Sequence, residues 1–408
     1  MTNAPNPPLN PLPRGDFSKR DIIIKMNKKI RALVLFSGGL DSMIAAKVLQ
    51  AQGIEVVGVC CVSNFFDCGK AKKAAEEISI DLKIIDISEE LLEIVKNPPS
   101  GYGKHLNPCV DCHALMIKKA GKYLSPSSLY SDTPLLIRRG AGGEVLATGE
   151  VLGQRPFSQN KDSLSRIEKM AGVEILRPLS AKLLPETTYE RQGLVDRGRL
   201  LSIKGRSRER QMELAEKYKL KNYSSPAGGC ILTDPEFSNR LMKMLDYWPD
   251  CGANDVELLK HGRVFWITLN TPIRQLADAK KRQKVLIIVG RHKEDNENLE
   301  KLARKGDILL ELKDVTGPLS LVRNSKFQIP NNKQIPQPEA DPPLAENSKF
   351  QIPNILEINV TEKLKMSELK LGEEKSEDEF LRIAGLLTGY YAVKARGKRV
   401  KIEVRSKK

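Results

Sequence analysis

The sequence predicts an α/β protein, a parallel sheet layered with helices, followed by a smaller α+β module. Three observations carry this. Apolar, β-branched runs alternate with helix-periodic stretches from Lys28 to Ile87, as in sheets whose strands are buried on both faces. The 408 residues exceed what a single core supports. Past about Asp250 the helical spacing gives way to more closely spaced strand-like runs.

Residues 1–27 are rich in Pro and Asn without periodicity, which reads as a flexible leader. Ala32 to Phe36 is a short apolar strand, Ser37-Gly38-Gly39 a tight turn, and Leu40 to Gln52 an amphipathic helix stopped by Gly53. Ile54 to Val62 and Leu82 to Ile87 read as strands around a helix at Ala71 to Ile78. Glu144 to Thr148 and Glu174 to Pro178 are further strand candidates, and Glu209 to Tyr218 and Glu236 to Trp248 have helical spacing. The α/β domain is therefore expected over 28–250 and the second domain over 251–408. In the latter, strands are expected at Arg263 to Leu269, Lys284 to Val289 and Asp307 to Leu312, with a closing piece after Ile355. The octapeptide beginning at Asn324 recurs unchanged from Asn347, and the residues between are rich in Pro and Gln. Such a composition buries little apolar surface, so about 324–354 reads as a disordered loop lengthened by duplication, without a catalytic role.

The formal net charge of +16 favours a polyanionic partner. No run of about 20 apolar residues occurs, and the N-terminal stretch lacks the apolar core of a secretory signal. A cytosolic location is expected. Seven cysteines, an odd number in a long chain of this kind, argue for reduced thiols rather than a disulfide framework.

The segment Ser37-Gly38-Gly39-Leu40-Asp41-Ser42 joins the first strand to the first helix. Such a turn aims backbone N–H groups and a helix dipole at an anion. Gly38 and Gly39 let the main chain approach phosphate, the hydroxyls of Ser37 and Ser42 add donors, and Asp41 calls for a bridging Mg²⁺. The segment is neither a GxxxxGK[ST] nor a GxGxxG motif. It resembles the SGGxDS pyrophosphate loop of the N-type ATP pyrophosphatases. The resemblance implies a Rossmann-like sheet of the adenine nucleotide alpha hydrolase-like type. It also implies that ATP is split to AMP and pyrophosphate while the adenylyl group activates an oxygen of the substrate.

Asn107-Pro108-Cys109-Val110-Asp111-Cys112-His113 opens a helix, with Asn107 suited to the N-cap and Pro108 to the first turn. A helix N-terminus lowers a thiol's pKa, which makes Cys109 and Cys112 candidates for thiolate chemistry or metal ligation. Cys230 follows the flexible pair Gly228-Gly229. These residues resemble the tRNA thiouridylases, which carry an NPxxxCN-type motif and a second cysteine far downstream. Cys112 matches the first position and Cys230 the second. The resemblance implies that this pair delivers sulfur to a uridine adenylated on its carbonyl oxygen, with Asp41 and the two cysteines as catalytic residues. Sulfur would come from a cysteine desulfurase or sulfide, and the substrate would be tRNA. Cys109 is an additional thiol, so three readings stand side by side. The trio Cys109, Cys112 and Cys230 suits a [4Fe-4S] cluster with one open iron; Cys112 and Cys230 suit a persulfide relay; and the C-x-x-C suits a structural zinc completed by His113 or a fourth cysteine.

Gly149, in the stretch Thr148 to Arg155, matches the thiouridylase position near the adenine. Gln154, Arg155, Ser158 and Gln159 then lie along a path for RNA or triphosphate. The dense basic stretch that includes Arg206 and Arg208 reads as contact with backbone phosphate. The C-terminal segments Val289 to His292, Gly317-Pro318 and Ala395 to Arg399 resemble the RNA-binding domain of the NFACT ribosome-quality-control proteins. That resemblance implies RNA contacts from Arg291, Lys394, Arg396, Lys398 and Arg399. Two other functions stay open on the sequence: a pyrophosphatase that adenylates an acceptor without sulfur transfer, and an RNA- or ribosome-binding adaptor.

Overall fold

A computed structural model describes residues 30–124, 143–223, 230–269, 283–324, 353–361, 363–371 and 373–407. The leader, the turn preceding Cys230 and most of the duplicated loop lie outside the described residues. Contacts divide the chain into two units, one of residues 1–61, 68–85 and 110–226, the other of 62–67, 86–109 and 227–408. The segment 227–250, expected in the α/β domain, groups with the second unit.

The first unit is a parallel sheet of four strands: β1 (Arg31–Leu35), β2 (Glu55–Val62), β3 (Asp81–Asp86) and β4 (Glu144–Thr148), in the order β3-β2-β1-β4. Its longer helices are α1 (Leu40–Gln50), α2 (Gly69–Ile78), α3 (Cys109–Gly121), α4 (Lys161–Ala171) and α5 (Glu209–Lys217). β1 lies in the middle, pairing Leu35 with Val59 of β2 on one side and with Thr148 of β4 on the other. Ala32, Leu33, Val34, Leu146 and Ala147 are fully buried, as strands covered on both faces must be. The chain leaves β1 toward β2, and β4 adds on the opposite edge, so the carboxyl ends of β1 and β4 form a topological switch point, where open α/β sheets bind ligands. Glu174 to Pro178 is not a strand; Leu176 makes only an isolated bridge to Ala147.

One cysteine expectation is overturned here. Cys60 of β2 and Cys68, just before α2, form a disulfide, while Cys61, Cys109, Cys112, Cys230 and Cys251 are not disulfide-bonded.

The second unit is built on a sheet of seven strands with helices, the α+β arrangement that the sequence predicts. Its helices include α6 (Pro235–Tyr247), α7 (Ala253–Leu258), α8 (Lys293–Leu302) and α9 (Glu377–Tyr391), beside a helix at Ser88–Lys96. Its strands are β5 (Arg263–Leu269), β6 (Gln283–Val289), β7 (Ile308–Leu312), β8 (Ser320–Asn324), β9 (Ile355–Asn359), β10 (Glu374–Lys375) and β11 (Arg399–Ser406), ordered β10-β5-β6-β8-β7-β11-β9. All neighbours are antiparallel except β10 with β5. Leu381, Ala384 and Leu387 of α9 pack with Ile287, Leu310 and Ile402 in one core cluster. A buried ion network ties Arg323 of β8 to Asp307 at 2.6 Å and to Asp255 of α7 at 2.9 Å. Among the described residues no helix is long and apolar enough to cross a membrane.

Candidate functional site

The loop between β1 and α1 is held in shape by close approach. Gly38 has φ of +73°, and a Cβ there would fall 2.6 Å from the backbone carbonyl of Lys70. Only glycine fits both demands. α1 begins without a side-chain cap, Gly39 being its N-cap residue, which leaves the dipole and first-turn N–H groups to an anion. The two serines divide. Ser37 is exposed, whereas Ser42 is buried and donates its hydroxyl to the Gly39 carbonyl at 2.8 Å, so it acts as a brace for the turn.

Gly149, just past β4, meets this loop directly. A Cβ on it would lie 2.6 Å from the Ser42 backbone nitrogen, so glycine here permits the β4 loop to close on the first turn of α1. From the same loop Gln154 donates through Nε2 to Asp41 Oδ2 at 3.0 Å, and Arg208, just ahead of α5, donates to that oxygen at 3.1 Å. Asp41 Oδ1, Gln154 Oε1, Gln159 Oε1 and Arg208 Nε are buried without hydrogen-bond partners. Buried polar atoms are nearly always satisfied, so the unmet ones on Gln154, Arg208 and Asp41, joined through Asp41 in the first turn of uncapped α1, mark a place shaped for a ligand. Two of them, on Asp41 and Gln154, are the hard oxygen donors that Mg²⁺ takes, and these residues fit that ion.

A second network stands beside the first. Glu150 is buried and accepts from His113 Nδ1 at 2.9 Å, Arg177 Nε at 3.1 Å and Thr148 Oγ1 at 3.1 Å. Burial alone pushes the Glu150 pKa up, but the hydrogen bond from His113 and the charge of Arg177 outweigh it and hold the carboxyl at about 2. Arg177 also donates to Glu168 at 3.0 Å. His113 belongs to α3, so this carboxylate pins the cysteine-bearing helix to the loop after β4. The sequence pointed to His113 only as a zinc ligand and did not single out Glu150 or Arg177.

The thiols differ in setting. Cys109 is the first residue of α3 and is partly exposed, whereas Cys112 has 7% of its surface exposed. Cys230 is partly exposed; burial, with the nearby charge of Cys109 adding to it, pushes its thiol up to about 11. Among the described residues no group of three or more His, Cys, Asp or Glu side chains is arranged to hold a metal ion. The iron-sulfur and zinc readings of Cys109, Cys112 and Cys230 stay expectations of the sequence, and no chemical step is derived through either.

Of the basic residues, Arg155 and Arg206 are exposed, and Arg208 is committed to Asp41 rather than pointing at solvent. Arg291 is bound to Asp295 at 2.7 Å and to the Lys260 carbonyl at 3.0 Å. Arg399 pairs with Glu357, and Arg396 lies over the Tyr390 ring with 4.7 Å from its guanidinium carbon to the ring centroid. Lys394, Arg396 and Lys398 are exposed near the start of β11.

No protein-family model matches the chain. The chain is similar to tRNA-specific 2-thiouridylases. It is 27% identical over 180 residues to MnmA of Geotalea uraniireducens, covering 37% of this chain and 41% of that one. It is 31% identical over 159 residues to MnmA 1 of Fusobacterium nucleatum, covering 38% and 42%. The chain thus spans about two fifths of the length of these curated relatives. Among solved structures, a 4-thiouridine synthetase in complex with RNA and bound ATP aligns with a TM-score of 0.32 and 19% identity over 56% of this chain and 52% of that one.

Proposed function

We propose that this chain is an ATP-dependent tRNA sulfurtransferase, which adenylates a uridine carbonyl oxygen in tRNA and replaces that oxygen with sulfur. The observation that carries the proposal is the uncapped N-terminus of α1, closed in by Gly38 and Gly149 and faced by the half-satisfied Asp41 carboxylate. Backbone N–H groups of the α1 first turn hold the phosphates of ATP. Asp41 and Gln154 hold Mg²⁺, which supplies charge neutralisation on the phosphates. With the triphosphate fixed, the uridine oxygen attacks the α-phosphorus and pyrophosphate leaves, so AMP is carried on the former carbonyl oxygen. A sulfur nucleophile then adds at that carbon, and AMP departs with the oxygen. A sulfane-sulfur donor such as a cysteine desulfurase charges Cys112 as a persulfide whose outer sulfur is that nucleophile; Cys230 then attacks the inner sulfur, freeing the thiouridine and leaving a disulfide that a thiol reductant reopens, whereas sulfide, already reduced, adds at the carbon directly without passing through either thiol. Glu150 keeps α3, and with it the first-turn thiols, in fixed relation to the nucleotide loop. Such positioning accounts for much of the acceleration in a reaction of this kind. The exposed Lys394, Arg396 and Lys398 bind tRNA phosphates.

The test is mass spectrometry of nucleosides from bulk tRNA incubated anaerobically with the protein, ATP, Mg²⁺ and sulfide. A new thiouridine is expected with the wild type and none with Asp41→Ala, which should still bind tRNA. Pyrophosphate release without a thionucleoside would overturn the sulfur step. Loss of tRNA binding in Asp41→Ala would overturn the assignment of Asp41 to the nucleotide.

A further inference from the structure

The Asp41–Arg208 pair is unusual for what it leaves unmet. Arg208 Nη2 and Gln154 Nε2 both converge on Asp41 Oδ2, while Oδ1 of the same carboxylate and Nε of the same guanidinium are buried without partners. An arginine serving only to neutralise an aspartate normally engages it with two parallel N–H···O bonds. Here one bond is made and one donor of the fork is left over. Gln211, one turn further along α5, is fully buried, and both atoms of its carboxamide are unpartnered. α5 packs against α1, so these unmet donors and acceptors belong to the wall of the nucleotide loop.

Electrostatics gives the pair a purpose. A carboxylate in the first turn of α1 repels phosphate unless a cation sits on it. In the chain as it stands Arg208 is that cation. Mg²⁺ bound to nucleotide is a better partner for a hard carboxylate oxygen, and a guanidinium displaced from Asp41 is well shaped for phosphate oxygens.

We infer that Arg208 is a phosphate-binding residue held in reserve on Asp41, exchanging that carboxylate for a phosphate oxygen of the nucleotide when the metal takes its place. The inference rests on the reading of the loop as an ATP site. It assigns to nucleotide binding a residue whose sequence context pointed to RNA. Arg208 is a nucleotide-binding residue here, and the exchange makes or breaks no covalent bond.

The exchange predicts effects of opposite sign on two ligands. Arg208→Gln removes the competitor from Asp41, so Mn²⁺ alone, followed by electron paramagnetic resonance as a stand-in for Mg²⁺, is expected to bind about 3-fold more tightly, the scale of a partly exposed ion pair. The same variant is expected to bind the Mg²⁺ complex of α,β-methylene-ATP about 10- to 100-fold more weakly by calorimetry, the scale of one charge-assisted bond to phosphate. Arg208→Lys keeps the charge and loses the fork, so Mn²⁺ affinity should stay at the wild-type level while analogue affinity falls several-fold. Weakening of both ligands together, with a lowered melting temperature, would make Arg208 a structural brace and overturn the inference. Unchanged analogue affinity in Arg208→Gln would overturn it as well. A wild type that binds neither ligand would remove the ATP site itself, whereas a wild type that binds both with an indifferent Arg208→Gln removes only the exchange.

Discussion

Glu150→Gln isolates the link between the cysteine helix and the nucleotide loop. In the wild type one carboxylate oxygen accepts from His113 and the other from Arg177 and Thr148. A carboxamide keeps one acceptor and turns an NH₂ group toward one of these donors, leaving either His113 or the buried Arg177 unmatched. The carboxyl stands at about 2 against an ordinary 4.5, and at about 1.4 kcal/mol per pH unit the environment favours the charged form by roughly 3 kcal/mol. Breaking a buried pair from one side costs a similar amount, and Glu168, which stays on Arg177, keeps the cost at the low end of about 3–5 kcal/mol. The local opening equilibrium should therefore shift about 100-fold, seen by hydrogen–deuterium exchange in peptides covering Cys109 to Gly121 and Glu144 to Leu152 at pH 7. The pH dependence follows in sign. Because the folded pKa is depressed, the stabilisation is present above about 4.5 and is lost as pH falls toward 2. The variant should lack that loss. Exchange within about 3-fold of wild type at pH 7, or an identical acid profile between pH 4.5 and 2, would refute the claim that Glu150 holds the two elements together.

Gly149→Ala places a methyl 2.6 Å from the Ser42 backbone nitrogen and must push the β4 loop off α1; affinity for α,β-methylene-ATP should fall by about 100-fold in calorimetry, the scale of a 1 Å misplacement. Lys394→Gln with Lys398→Gln should weaken tRNA binding and flatten the slope of log affinity against log salt by about 2, measured by filter binding between 50 and 200 mM salt, since two phosphate contacts are lost; a parallel slope excludes these lysines. A short iodoacetamide pulse on the native protein should label Cys109 well before Cys112, because only the former is partly exposed, and peptide mass spectrometry of the two positions decides it. Without reductant, the peptides that carry Cys60 and Cys68 in the same digest should be found linked.

What the sequence made legible was local. A β-branched run, two glycines and an amphipathic stretch specify strand, turn and helix within about 20 residues, and the parallel sheet follows from their alternation. Distant partners left no comparable signal. Arg208 stands 167 positions from Asp41 and reads in one dimension as one more residue of a basic stretch. Glu150 and His113, 37 apart, are each unremarkable in sequence, and only the adjacency of α3 and the β4 loop makes them a pair. Glu174 to Pro178 failed as a strand because apolar character at Ile175 and Leu176 reflects burial, which a buried coil shares with a strand. The second sheet was undercounted for a related reason: β8, and β9, β10 and β11 within the expected closing piece, gain their identity as strands from pairing rather than from propensity.

These distant partners converge on one place, which argues that they were assembled together. The loop after β4 supplies Gly149 to close on α1, Glu150 to hold α3, and Gln154 to share Asp41 with Arg208. Six consecutive residues thus couple the nucleotide loop, the cysteine helix and the basic stretch ahead of α5. Displacing any one of the three moves the same loop, so loss of nucleotide affinity in Gly149→Ala and loosening of α3 in Glu150→Gln should not be independent. In the double variant the two effects should fall short of their sum, as expected for neighbours that share one structural element. Full additivity would mean that the β4 loop carries two separate contacts and couples nothing.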